Sequence, residues 1–426
     1  MSFKPAATTC PRCERALIEN EGHRTWCAEC DWNLTDDFGR PRRSFVRRRL
    51  DSASDRLVVS LYEEFRADTL SRPGWDAARV ASYAVAAGVH LMTAGLVVVA
   101  VVASVLYPFF PVFLLSLLLL VIAFFIRPRL GRIPRNSLPL TREDAPELYR
   151  LADQVADEVG VRRVDVIATD GFFNASYGAV GVRRRRIVTI GLPLWNALTP
   201  EERVGVLAHE MGHGVNGDSR HLLVVGTALH TLDRLYTLLR PDRHWETRAA
   251  GFVALMGLAL RLAKWLLRLP VAAAYLALAL LTLRAGQRAE YLADRLAADA
   301  ASPAATADAL DKIHTVQETL LPAISFQAAY PKKVVLWSKH RELINKLPAL
   351  ELERRRRVSA IVQHRVDSSH PPTGLRIALL RELAASKPKV SLTPEQAEAI
   401  ETELGPHYAT FAVRLAAPYR AAHYES

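Results

Sequence analysis

The sequence predicts a mainly α-helical protein with a small β-sheet, preceded by an N-terminal zinc ribbon and a transmembrane helical hairpin. Three observations support this prediction. All four cysteines lie in two closely spaced pairs near the N-terminus. A stretch without Asp, Glu, Lys or Arg runs from Val80 to Ile126. The rest of the 426-residue chain has the apolar spacing and capping signals of helices, with one strand-rich region at 164–191.

The predicted ribbon covers residues 1–39. Its cysteines form two CxxC pairs, in which Cys10 precedes Cys13 and Cys27 precedes Cys30. This spacing is typical of a structural zinc site, where four thiolates bind one Zn²⁺ tetrahedrally. Disulfide bonds are the alternative, but the polar N-terminal segment does not resemble a secretory signal peptide. We therefore expect a reducing compartment for this segment.

The charge-free stretch is long enough for two membrane spans, because one span needs about 20 apolar residues. We assign residues 40–78 to a basic linker with an amphipathic helix, and residues 79–135 to the hairpin, which turns at Tyr107–Pro111. Arginines flank the hairpin and its turn has no cation, so the positive-inside rule places both ends in the cytoplasm. His90, inside the hairpin, is interpreted as a lipid-facing or tolerated neutral histidine.

A second apolar region, near 249–283, contains three cations on one helical face, Arg261, Lys264 and Arg268. Burying them at the bilayer centre would cost on the order of 8–10 kcal/mol. We therefore favour membrane-associated amphipathic helices that lie at the membrane surface or pack beside the following domain. Two additional spans are the alternative.

A histidine pair with helical spacing occurs in the pentapeptide from His209 to His213. Positions four apart share one face of a helix, so both imidazoles can bind one Zn²⁺. Glu210 lies beside them and can accept a proton from water at that ion. Thr199 followed by Pro200 predicts the start of this helix, because Thr is a common N-cap and Pro fits the first turn.

A catalytic zinc site needs a third protein ligand. Glu290 is the best candidate, since it stands four residues before Asp294 on a predicted helix and both can face the histidines. Asp294 or Asp218 could orient a ligand histidine. The alternative is that Glu290 and Asp294 form a solvated helix face, and Glu246 is then the next carboxylate to test.

Four segments in this order resemble the HtpX and CAAX-prenyl-protease family of membrane zinc metallopeptidases, over residues 136–385. They are, in chain order, Phe173–Ser176 followed by Gly178, His209–His213, Glu290–Asp294, and Ser369–Pro372 followed by Arg376. In that family the asparagine is usually followed by Ala-Phe, whereas Ala175 and Ser176 follow it here.

The resemblance implies a gluzincin-type metallopeptidase domain over residues 136–426. It also implies that Asn174 binds the substrate backbone, that His370 helps to stabilise the oxyanion and that Arg376 orders the site. The expected ligands of the catalytic zinc are His209, His213 and Glu290. The expected base is Glu210.

Together these features predict a membrane-anchored zinc endopeptidase, multi-pass in the cell membrane, with its N-terminus and peptidase domain in the cytoplasm. One catalytic and one structural Zn²⁺ are expected, with a protein or peptide substrate and membrane lipids as partners. The formal net charge of +11 is assigned to the anionic membrane surface, so no nucleic acid is expected. Membrane-protein quality control is the role that the resemblance suggests, and a catalytically silent adaptor acting through its ribbon is the alternative. The arginine runs 183–186 and 354–357 are interpreted as a solvated hairpin turn and an exposed helix turn.

Overall fold

The computed structural model describes residues 9–18, 22–35, 63, 77–128, 131–181, 183–215, 222–240, 252–366 and 371–424. The helices within these ranges are α1 (Ala77–Leu106), α2 (Phe110–Ile126), α3 (Pro146–Val159), α4 (Leu192–Ala197), α5 (Pro200–Val215), α6 (Thr227–Leu238), α7 (Phe252–Ala300), α8 (Pro303–Thr315), α9 (Leu320–Ala329), α10 (Leu336–Asn345), α11 (Ala349–Val366), α12 (Thr373–Glu382) and α13 (Pro394–His423). A π-helix, Leu222–Gly226, precedes α6, and a 3₁₀-helix, Gln317–Thr319, precedes α9. The strands are β1 (Leu138–Leu140), β2 (Val166–Asp170), β3 (Ala175–Val180) and β4 (Arg185–Gly191). The predicted fold class, mainly α with a small sheet, is confirmed.

The sheet has the strand order β1-β2-β4-β3, so β3 is an edge strand. β3 pairs antiparallel with β4, and β2 pairs in parallel with β4. The hairpin predicted from the strand-like runs is present, with Arg184 in the left-handed region at φ 51° in its turn. β1 was not predicted, because three residues are too few to show an alternating pattern.

Helix α5 begins as predicted. The Thr199 hydroxyl accepts a hydrogen bond from the Glu202 N–H at 3.3 Å, and the Glu202 carboxylate accepts one from the Thr199 N–H at 2.8 Å. This reciprocal capping box satisfies backbone donors that the first turn leaves free. One apolar face of α5, including Leu207 and Met211, is buried in the main core with α3, the sheet and α13.

Two helices of the described chain are long and apolar enough to cross a membrane, α1 and the Leu255–Ala300 part of α7. The shorter apolar helix α2 follows α1 after a break at Tyr107, as predicted for a hairpin. His90 does not simply face lipid, since its Nε2 lies 2.9 Å from the carbonyl oxygen of Val224 in the π-helix. A π-turn disturbs the usual ladder of main-chain hydrogen bonds, so this histidine provides a partner from α1.

The region near 249–283 differs from the prediction of several amphipathic helices in being continuous. Its described part is one continuous helix that runs through Pro270 towards Glu290. Exposed leucines cover most of the circumference of its first half, and Arg261, Lys264 and Arg268 share the remaining face. The guanidinium of Arg268 lies 3.7 Å from the ring centroid of Tyr236 on α6, which gives one of the three cations a partner.

The arginine run at 354–357 was predicted to be an exposed turn, and this is wrong for most of it. Arg354 and Arg357 donate to main-chain carbonyls of the ribbon. Arg355 and Arg356 donate to groups on α8. These partners lie far away in the sequence, so the local pattern alone could not reveal them.

Candidate active site and metal centres

Two packed helices bring the predicted metal ligands together. His209 and His213 lie on α5, and Glu290 lies on α7. The helices approach closely at Gly212, where an added Cβ would lie 3.1 Å from the Cα of Ala293. The glycine inside the motif therefore allows the backbone approach that brings the carboxylate to the histidines.

The geometry of the triad fits a single metal ion. His209 Nε2 lies 3.6 Å from Glu290 Oε2, and His213 Nε2 lies 3.6 Å from Glu290 Oε1. The three donor atoms all lie within 4.8 Å of one another. A tetrahedral Zn²⁺ with bonds of about 2.1 Å places its ligand atoms about 3.4 Å apart. The alternative of a solvated Glu290 face does not fit, because only 4% of this residue is exposed.

Asp294 holds His209 from the side away from the triad. Its Oδ1 lies 3.0 Å from His209 Nδ1, and the carboxylate is buried. An Nδ1–H donated to Asp294 leaves Nε2 free to bind a metal, which is the usual arrangement of a ligand histidine with a carboxylate behind it. Asp294 therefore lies behind His209 and outside the triad.

Arg376, on α12, joins the two buried carboxylates. Its Nε and Nη2 donate to Asp294 at 2.7 and 2.6 Å, and its Nη1 lies 3.0 Å from Glu290 Oε2. Burial alone would lower the pKa of Arg376, but the charges of Asp294 and Glu290 outweigh that effect and raise it. The arginine stays charged and prevents the two carboxylates from repelling each other.

Glu210 lies beside the triad on α5 and faces β3. Burial raises the pKa of its carboxyl group, while His209 and His213 act in the opposite direction. The main-chain N–H of Tyr177 donates a hydrogen bond to this carboxylate. The group is therefore held between the histidines and the sheet edge, where water at a bound metal would lie.

The edge of β3 is directed towards α5. The Asn174 carbonyl accepts a hydrogen bond from the Gly191 N–H at 2.8 Å. Because bonding alternates along an antiparallel pair, the main-chain groups of Ala175 and Tyr177 point away from β4. The bond from Tyr177 to Glu210 agrees with this alternation. Asn174 is exposed where the edge begins.

The four cysteines of the ribbon also converge. Sγ of Cys10 lies 3.6 Å from that of Cys30, and Sγ of Cys13 lies 3.5 Å from that of Cys27. A tetrahedral site with Zn–S bonds of about 2.3 Å separates its sulfurs by about 3.8 Å, whereas a disulfide bond is about 2.0 Å long. The arrangement fits a four-thiolate metal site, and the thiols are free.

Residues 142–384 match the model of peptidase family M48, which is more than half of the chain. The chain belongs to peptidase family M48. It is 25% identical over 245 residues to a protease HtpX homologue of Persephonella marina. The aligned residues cover 57% of this chain and 76% of that relative. It is 26% identical over 258 residues to a protease HtpX homologue of Pyrococcus furiosus, with coverage of 58% and 77%. No solved structure matches.

Membership of family M48 confirms the resemblance and identifies a membrane metalloprotease. Of the remaining predicted site residues, His370 and Asp218 lie outside the described residues, as does the reserve candidate Glu246. Sequence reasoning did not find Tyr177, whose main-chain N–H bonds to Glu210. A main-chain contact leaves no side-chain signal, and only the position three residues after Asn174 on a predicted edge strand could have indicated it.

Proposed function

We propose that this M48 protein is a zinc-dependent endopeptidase of the cell membrane whose active site faces the cytoplasm, with a second, structural Zn²⁺ in the ribbon. The observation that carries the proposal is the convergence of His209, His213 and Glu290 beside Glu210 and the edge strand β3. Zinc bound by the triad would act as a Lewis acid, making water more acidic and polarising the scissile carbonyl.

In this proposal Glu210 moves the proton. Its carboxylate accepts the proton of the attacking water and then delivers it to the amine that leaves. The Tyr177 N–H orients the carboxylate while the reaction proceeds. His370, predicted through the resemblance, would donate to the oxygen of the carbonyl under attack.

The sheet edge is the proposed substrate platform. An extended peptide can add to β3 through the outward main-chain groups of Ala175 and the carbonyl of Tyr177, whose N–H is bonded to Glu210. The exposed side chain of Asn174 stands where that peptide would enter. Because pairing of this kind requires an extended backbone, the proposed substrates are unfolded or flexible protein segments, as quality control of membrane proteins requires.

The membrane orientation follows from charge. Arginines lie on both sides of the α1–α2 hairpin, and its turn has no cation. The positive-inside rule therefore supports a cytoplasmic ribbon and a cytoplasmic peptidase domain, with lipids around α1, α2 and the apolar part of α7. Labelling of single cysteines at Phe110 and Asn174 tests this. The Phe110 position should react from outside and the Asn174 position should not.

Glu210→Gln tests the proposed catalysis. The substitution keeps the size of the side chain and removes the base, so cleavage of an unfolded protein should fall by about 10²–10⁴-fold. Zinc content and folding should stay unchanged. Glu398→Gln, the same change on an exposed face of α13, is the control. If wild type and Glu210→Gln are equally inactive on every unfolded substrate but both complement a deletion strain, the adaptor function replaces the protease.

A further inference from the structure

The ribbon contacts the peptidase domain mainly through one side of α11. The guanidinium of Arg357 donates to the Ala28 carbonyl at 2.5 Å and to the Asp31 carboxylate at 2.8 Å. It also lies 5.1 Å from the ring centroid of Trp26. Arg354 donates to the Leu34 carbonyl at 3.2 Å. All of these ribbon groups belong to the second CxxC pair or flank it.

The second CxxC pair ends in a turn whose backbone conformation is rare for its residue. Asp31, directly after Cys30, lies in the left-handed region at φ 55°, and its N–H donates to the Cys27 carbonyl at 3.0 Å. Non-glycine residues seldom adopt that region. Glu14 holds the same conformation, at φ 61°, after the first pair. A metal held by both pairs would fix these turns, and the net negative charge of four thiolates on one Zn²⁺ would favour the arginines.

The other two arginines of the run bind α11 to α8. Arg355 donates to the Thr315 carbonyl at 2.8 Å. Arg356 donates to both carboxylate oxygens of Asp311, at 2.8 and 2.7 Å. Glu351, which is buried, accepts from Arg355 at 2.7 Å and from the neighbouring Arg354 as well. One face of α11 therefore bonds to the ribbon, and another bonds to α8.

Helix α8 leads from this contact to the active site. His314 near its end lies 3.0 Å from the hydroxyl of Thr373, the first residue of α12. The same helix α12 carries Arg376, which pairs with both buried carboxylates of the site. On its other side α8 packs on α5, where a Cβ added at Gly205 would lie 3.3 Å from Thr306 Oγ1.

We propose that the metal-loaded ribbon is an intramolecular clamp that regulates the protease. Docking of the ribbon on Arg354 and Arg357 holds α11 against α8, and this pair holds α12 with Arg376 in the arrangement that serves the triad. Loss of metal from the ribbon releases the clamp and lowers activity without removing the metal of the triad. The effect on activity rests on the function proposed above, whereas the effect on α11 does not.

The test uses the full chain in detergent and follows amide hydrogen exchange of residues 349–366 and 373–382, zinc content and proteolysis. Replacing Cys27 and Cys30 with Ser should remove one zinc and accelerate exchange in both segments by about tenfold or more. Arg357→Asp and Asp31→Arg should each do the same to exchange while leaving zinc in the triad. The double variant Arg357→Asp with Asp31→Arg should restore part of the protection, because the ion pair is re-formed with reversed charges whereas the bond to the Ala28 carbonyl is not.

A matched exposed pair provides the control. Arg163 and Asp157 form an ion pair at 2.7 Å beside α3, and reversing either charge should leave exchange of α11 unchanged. Unchanged exchange after loss of the cysteines, or no recovery in the charge swap, would overturn the clamp. Undiminished proteolysis in a variant whose α11 exchanges quickly would overturn its regulatory role. If wild type itself cleaves nothing, the proposed protease function fails, and the exchange results still decide the clamp.

Discussion

The four cysteines of the ribbon lie in one short segment, whereas the triad of His209, His213 and Glu290 joins two helices that are distant in the sequence. The cysteines can offer four thiolates to one ion, which closes a tetrahedral site. The triad offers three donors and leaves one position for water or substrate. The first arrangement suits a structural metal and the second a catalytic one.

The two groups also differ in what holds them together. The described ribbon buries few apolar side chains, among them Trp26 and Leu34. The triad lies on α5 and α7, whose contact belongs to the main core, and Arg376 neutralises the carboxylates of Glu290 and Asp294. We therefore expect a bound ion to organise the ribbon, and the protein to organise the triad before any ion binds.

Removal of both ions should produce the largest contrast. Zinc-finger peptides gain about 10–16 kcal/mol from zinc at neutral pH and are unfolded without it. A strong chelator should therefore abolish exchange protection in residues 9–35 and leave α5 and the second half of α7 protected. Hydrogen exchange with mass spectrometry measures both regions in one sample. Collapse of both together would show that the triad is not preformed.

Arg376→Leu should strongly destabilise the peptidase domain around the triad and leave zinc bound in the ribbon. The substitution leaves Glu290 and Asp294 buried beside each other without a cation, which costs about 3–5 kcal/mol of unfolding free energy. The control is Arg381→Leu on the same helix, where the arginine is largely exposed and lies 3.7 Å from Asp308. Denaturant unfolding should separate the two variants clearly. Equal stabilities would mean that the ion pairs do not organise the triad.

Asp294→Asn should lower both metal affinity and folding stability, because Asp294 receives His209 Nδ1–H and also forms a buried ion pair with Arg376. Loss of the carboxylate that receives His209 Nδ1–H should weaken zinc binding at the triad by about 10–100-fold. Zinc in the ribbon should be unaffected. Asp299→Asn on the same helix is the control, because Asp299 is half exposed and pairs only loosely with Arg295 at 3.7 Å. Competition with a chelator of known affinity gives the zinc dissociation constant of the triad in each variant.

The sequence revealed the local parts of both groups. CxxC spacing, the helical spacing of the two histidines and the Thr199 capping box each depend on residues a few positions apart, so they could be predicted from the chain alone. The carboxylates of α7 were identified by spacing and resemblance together, and Arg376 by resemblance only. Once α5 and α7 are packed, all of these side chains lie together.

What the sequence did not reveal depends on distant segments. Arg354 and Arg357 bond to ribbon carbonyls, which have no residue-specific signature, and the Asp31 partner of Arg357 lies 326 positions away. The Tyr177 N–H that reaches Glu210 is hidden for the same reason. His90 contacts the carbonyl of Val224, in a π-helix 134 positions away. In each case a main-chain group takes part in the contact, so the pattern of side chains along the sequence does not predict it.

The smallest effect we predict comes from one methyl group between α5 and α7. In Gly212→Ala the new Cβ would lie 3.1 Å from the Cα of Ala293 and 3.2 Å from its Cβ. A backbone atom cannot move aside alone, so the helices must separate slightly, at a cost of about 1 kcal/mol or more. The separation should weaken zinc binding at the triad, because the histidines and Glu290 lie on opposite helices.

Gly405→Ala in α13 is the control, since nothing lies within 4 Å of its added Cβ, and it should stabilise the folded state by about 0.5–1 kcal/mol. Thermal unfolding and zinc titration of both variants measure the difference. Gly212→Ala with unchanged zinc affinity would show that the triad tolerates a wider helix spacing than its preformed geometry implies.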